Sequence, residues 1–92
     1  MAWYEPTKMS EYLDKLENPS TPEWELVKKL NTNDTAFVVR DTANGITCLQ
    51  SYSTIVSMQA GAEDIRLGRW SVTTSKHQGM FGVWCMNHPA QH

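Results

Sequence analysis

Asn44-Gly45, set between Ala36-Phe37-Val38-Val39-Arg40 and the run that opens at Ile46, commits the middle of this chain to an antiparallel hairpin. Both residues of an Asn-Gly pair tolerate positive φ, and the flanking β-branched and aromatic side chains suit a pleated, half-buried surface. Beyond the turn, Ile46, Cys48, Tyr52, Val56 and Met58 hold even positions while Thr47, Ser51, Ser53 and Ser57 hold odd ones. This alternation predicts one extended ribbon to about Gln59, bent near Ser53, with a single apolar face. Ala60 to Glu63 reads as a turn, and Ile65 to Trp70 as a further strand.

Before Asn31 the period is helical. Thr7 stands as a cap, and Met9, Tyr12, Leu13 and Leu16 recur at i, i+3, i+4 and i+7. Asn18-Pro19 ends that helix, because the residue before proline is pushed out of the helical region. Ser20 to Glu23 has capping-box spacing, with Pro22 at a first helical position, and Trp24, Val27 and Leu30 then mark an inner face. Residues 1–34 are therefore expected to form an acidic helical hairpin. At the other end, Ser71 to Ser75 supplies several caps for a helix from Lys76 to about Asn87, with His77, Met80, Phe81 and Trp84 inward. Gly79 and Gly82 each cost about 1 kcal/mol there relative to alanine. His88 to His92 reads as a frayed tail. The predicted fold class is α+β in one domain: the helical hairpin (1–34), then a small antiparallel meander with a closing helix packed on the sheet (35–92).

A chain of 92 residues supports one core. Four Trp, three Tyr and two Phe supply its anchors, and disorder is not expected. No apolar run approaches the roughly 18 residues of a membrane span. The start, Met1-Ala2-Trp3-Tyr4-Glu5-Pro6, lacks the order of a secretion signal, and two cysteines make no disulfide framework. The expectation is a soluble intracellular domain with reduced thiols and no membrane partner. Charge is uneven: residues 1–35 carry a net −3 and residues 36–92 a net +1, with no acid after Asp64. A total of −2 argues against general coating of nucleic acid while leaving one basic face.

Few residue patterns carry chemistry. Cys48 and Cys85 are the thiols and His77 and His88 the nearby bases, but Cys48 alternates with buried positions and no nucleophile elbow or Ser/His/Asp order occurs. Cys85, His88 and His92 have metal-like spacing, which Pro89 interrupts, so no metal and no cofactor are expected. Thr73-Thr74-Ser75-Lys76-His77 at a helix start, with Arg66 and Arg69 before it and Tyr52 or Trp70 to stack a base, would suit phosphate; hydroxyls also gather at helix starts simply as caps. Trp3, Tyr4, Glu11, Asp14 and Trp24 form an aromatic and acidic set that would meet a basic partner, with the core as the competing use of Trp24.

Ser51-Tyr52-Ser53-Thr54-Ile55-Val56 followed by Trp70-Ser71-Val72-Thr73-Thr74-Ser75-Lys76-His77 and Phe81 resembles a short domain of unknown function found in small proteins of bacteriophages and other prokaryotic viruses. The likeness spans about Val38 to Trp84 and rests on Ser-Tyr-x-Thr and Thr-Thr-Ser-Lys-His. It brings no catalytic or ligand residues. It implies a phage accessory protein made in the cytoplasm of a host bacterium, a class consisting mostly of stoichiometric binders. The expected function is a non-enzymatic inhibitor of a host defence or regulatory protein, anti-CRISPR-like or otherwise anti-defence, that occludes a functional surface. Its partner would be a basic or nucleic-acid-binding host protein, and a homodimer is compatible. The alternative is a phosphate-binding module for nucleic acid or a signalling nucleotide through residues 66–77.

Overall fold

Five strands hydrogen-bond in chain order, every neighbour antiparallel: β1 (Trp24–Lys29), β2 (Ala36–Asp41), β3 (Ile46–Ser51), β4 (Thr54–Ala60) and β5 (Glu63–Arg66). A short helix α1 (Ser10–Asp14) precedes them and a long helix α2 (Val72–Asn87) follows. This computed structural model describes residues 4–68 and 70–90, so Trp3, Arg69 and His92 lie outside the described residues.

Alternation along the strands loads both faces of the sheet. Phe37, Val39, Cys48, Ile55 and Met58 join Tyr12 and Leu67 in one cluster, padded by Tyr4, Met9, Leu13, Leu16, Trp24 and Ile46. Val38, Leu49 and Val56 point the other way and meet Phe81 and Cys85 of α2, with Leu30 and Trp84 at the rim. The central strands are thus covered on both sides, by the N-terminal segment and by α2. Each wholly buried side chain as large as Tyr12, Leu49 or Phe81 contributes about 1.5–3 kcal/mol through burial.

The helical hairpin expected over residues 1–34 does not form. Its first half is the five-residue α1, and its second half is the edge strand β1, paired with β2 in the register Trp24↔Asp41 and Glu25↔Arg40. The physical reason lies in where the capping groups go. Ser20 does not cap: its backbone N–H donates to Asn44 Oδ1 at 2.8 Å and its carbonyl accepts from Asn44 Nδ2 at 3.0 Å. Glu23 N–H donates to Asp41 Oδ1, and the Glu23 carbonyl accepts from the Thr42 amide at 2.8 Å. Tertiary partners thus hold the backbone extended, and they override a local helical preference worth only tenths of a kcal/mol per residue. Thr7 is not a cap either. Its amide and that of Lys8 donate to the Ser53 carbonyl, and Lys8 makes a parallel bridge with Thr54.

Two turns also differ from expectation. The Asn44-Gly45 hairpin closes with four residues, Thr42 to Gly45, between the pair Asp41↔Ile46; only Gly45 there takes positive φ (73°). The ribbon from Ile46 to Gln59 is not one bent strand. It folds back at Tyr52-Ser53, with Tyr52 in the left-handed region at φ 56°. Helix α2 starts four residues earlier than predicted, capped by Ser71 Oγ accepting from the Thr74 amide.

Candidate functional site

The aromatic and acidic set of the N-terminal segment splits by direction. Tyr12 is wholly buried, Trp24 packs against it with ring centroids 5.7 Å apart, and Tyr4 lies half-buried on the same cluster. Glu11 and Asp14 remain exposed. Tyr12 therefore serves the core wholly and Trp24 and Tyr4 in part, while Glu11 and Asp14 stay on the surface.

The segment expected to bind phosphate also comes apart. Thr74 and His77 turn inward, where Ser51 Oγ lies 3.2 Å from Thr74 Oγ1 and 2.8 Å from His77 Nδ1. Burial lowers the pKa of His77, which favours the neutral ring. Thr73, Ser75 and Lys76 face solvent, Tyr52 stacks obliquely beside His77 with ring centroids 6.0 Å apart, and Arg66 pairs with Asp64 at 3.5 Å. Ser71 takes up the helix-start donors, with Thr74 N–H on its Oγ and Ser75 N–H on its carbonyl. In this geometry Ser71 is the cap, Thr74 belongs to a buried seam, and Thr73 and Ser75 stay on the surface.

Ser51 and His77 touch as a nucleophile and base would, yet they are only 2% and 4% exposed. Burial raises both thiols, and the nearby Asp64 charge helps push Cys85 to about 11. Neither is poised as a thiolate. Among the described residues no group of three or more His, Cys, Asp or Glu could hold a metal ion.

Two features escaped the sequence reading. Helix α2 is apolar on both sides: beneath, Phe81 and Cys85 enter the core, while above, Val72, Val83 and Met86 are 74%, 59% and 70% exposed, with exposed Met80 nearby. Lys76 is the only charged side chain of the helix. The second feature is a cleft of about 340 Å³ at the C-terminal end of α2, whose lining includes Arg40, Thr47, Gln59, Trp84 and His88. Arg40 Nη1 donates to Thr47 Oγ1 at 3.1 Å, and the His88 ring stacks on the Trp84 indole at 4.6 Å. The strand register juxtaposes Arg40 and Thr47, and the helix period brings Trp84 and His88 onto one side.

The model of a family of unknown function, DUF8033, matches residues 26–87, more than half of the chain. The chain belongs to the DUF8033 family. The DUF8033 segment runs from within β1 to the end of α2, so it holds four of the five cleft residues named above and leaves α1 outside. No curated protein and no solved structure matches the chain. No helix among the described residues is long and apolar enough to cross a membrane.

Proposed function

We propose that this chain is a non-enzymatic binding protein that occludes a functional surface of a host protein, using the outer face of α2. The observation that carries the reading is the exposed stripe of Val72, Val83 and Met86 on a helix whose opposite side already fills the core. A helix needs one apolar side to pack in a domain, and a second one points to a partner. Gly79 lies in the same stripe with open space above it, which allows close approach of another chain. The sealed Ser51–His77 contact and the up-shifted thiols favour binding over catalysis.

The resemblance to viral accessory proteins supports the class of partner, a host defence or regulatory protein, and the cytoplasm of a host bacterium as the place. With Lys76 the one charge on the stripe, the complementary surface is apolar with an acidic group at its rim.

Capture from host lysate tests this with the full chain and a Val83→Asp, Met86→Asp variant. Both sites are exposed, so the variant should melt like the wild type. The expected result is a stoichiometric partner bound by the wild type and lost by the variant. Equal capture by both chains would refute the surface. A concentration-dependent dimer that the variant abolishes would reassign it to self-association.

A further inference from the structure

We infer that the cleft at the C-terminal end of α2 binds a single nucleotide, with the phosphate on Arg40 and the base on the Trp84–His88 stack. Its volume of about 340 Å³ lies at the small end of ligand sites, the scale of a single mononucleotide. The floor comes from Thr47 at the start of β3, one wall from Gln59 near the end of β4, and the other wall from the last turn of α2.

Arg40 is exposed and lacks a carboxylate partner: the ion pairs among the described residues are Lys29–Asp34 and Arg66–Asp64. Glu25 stands opposite it on β1 without forming an ion pair. The bond from Nη1 to Thr47 Oγ1 holds one nitrogen of the guanidinium and leaves the rest of its planar donor fork for a bidentate anion.

The platform is equally constrained. His88 Nδ1 lies 3.0 Å from the Trp84 carbonyl, and a carbonyl only accepts, so Nδ1 carries the proton and the ring is held in place. Its plane lies 13° from that of the indole, which is itself stacked with Phe81, so the outer face of the exposed His88 ring ends the stack and is the surface on which a base would lie. Gln59 Nε2 donates to the carbonyls of Gly61 and His88, so Gln59 offers a ligand its acceptor Oε1. A cation for the phosphate, an aromatic ring for the base and an amide oxygen that can accept from a base N–H or a sugar hydroxyl line one small cleft. The site is separate from the Val72–Val83–Met86 stripe and does not depend on the function proposed for it.

Titration of the full chain with AMP, CMP and inorganic phosphate, read by backbone and indole amide NMR, tests the assignment. A saturable response to a mononucleotide is expected at the Trp84 indole and the His88 amide. Arg40→Ala should weaken it at least about tenfold, and Glu25→Gln should tighten it. Lys76→Ala, in the segment where the sequence suggested phosphate, should leave it unchanged. His88→Ala should erase the preference for nucleotide over phosphate, which keeps the test sound if Arg40→Ala misfolds. The inference fails if phosphate alone binds as tightly as nucleotide, or if no response occurs at about millimolar nucleotide. It also fails if folded Arg40→Ala binds normally, or if an oligonucleotide binds more than about tenfold tighter than a mononucleotide.

Discussion

The hydroxyl of Tyr12 donates to the carboxylate of Asp41 at 2.6 Å, and this buried bond joins α1 to the end of β2 across the first hydrophobic cluster. Asp41 is wholly buried and also accepts from the amides of Glu23, Ala43 and Asn44 and from Asn44 Nδ2. Burial raises its pKa, but hydrogen bonds from the Asn44 and Tyr12 side chains and from backbone amides outweigh it and hold the carboxyl below 3.8. Asn44 meanwhile grips both backbone groups of Ser20. One turn thus anchors Tyr12, Ser20 and Glu23 of the N-terminal segment.

Removing that acceptor should be costly. Asp41→Ala leaves several buried donors without a partner and is expected to destabilise the fold by about 3–5 kcal/mol, while Tyr12→Phe should cost about 1.5–3 kcal/mol. Urea unfolding of the two variants measures both. Because the folded carboxyl titrates below its unfolded value of 3.8, its contribution is present above about pH 4 and is lost as pH falls through the folded pKa. Tyr12→Phe should move that loss toward higher pH.

His77 sets a second pH dependence. Its folded pKa lies below the unfolded 6.5, so the unfolded chain binds more protons between the two values. Stability held by the neutral ring is fully present above about pH 6.5 and falls as pH drops toward the folded pKa. Urea midpoints from pH 7.5 to pH 5 should decline for the wild type and stay flatter for His77→Gln. An equal decline in both would show that this histidine is not the source.

Gly79 and Gly82 separate helix propensity from packing. A Cβ at Gly79 meets nothing within 4 Å, so Gly79→Ala is expected to stabilise by about 1 kcal/mol and to raise the melting temperature by about 4–8 °C. At Gly82 the same atom would lie 3.0 Å from Asp64 Oδ1, and Gly82→Ala should gain less because that carboxylate must move. Thermal melts rank the two variants directly. If Gly79→Ala also weakens capture of the partner, the open space above that residue belongs to the contact.

The thiols should be silent in the folded chain. Cys48 and Cys85 are both fully buried with raised pKa values, so neither should react with a disulfide reagent at neutral pH. Both should react in concentrated urea. Rapid labelling of one thiol in native buffer would reveal local opening of the strand or helix that carries it.

The sequence by itself determined the elements whose stability is local or periodic. Strand β2, the hairpin at Asn44-Gly45 and the closing helix follow from alternation, turn chemistry and capping signals. The fold-back at Tyr52-Ser53 that splits β3 from β4, and a last strand at Glu63–Arg66 instead of Ile65 to Trp70, do not. The burial of Phe81 and His77 on α2 followed from the same periodicity, but Met80, read as inward with them, is exposed and Trp84 only half-buried. Tertiary structure alone decided residues 20–29, where a sound capping box lost to Asn44 and Asp41, side chains about twenty positions away that claim the same backbone groups. It also decided which hydroxyls face inward, because the pairing of Ser51 with Thr74 and His77 depends on how α2 lies on the sheet. The cleft of Arg40, Thr47, Gln59, Trp84 and His88 was illegible for the same reason: its residues come from three strands, one helix and the residue that ends it, and only packing brings them together. Periodicity assigns a side chain to a face, but neighbours across a fold are set by docking of whole elements, which no local pattern encodes.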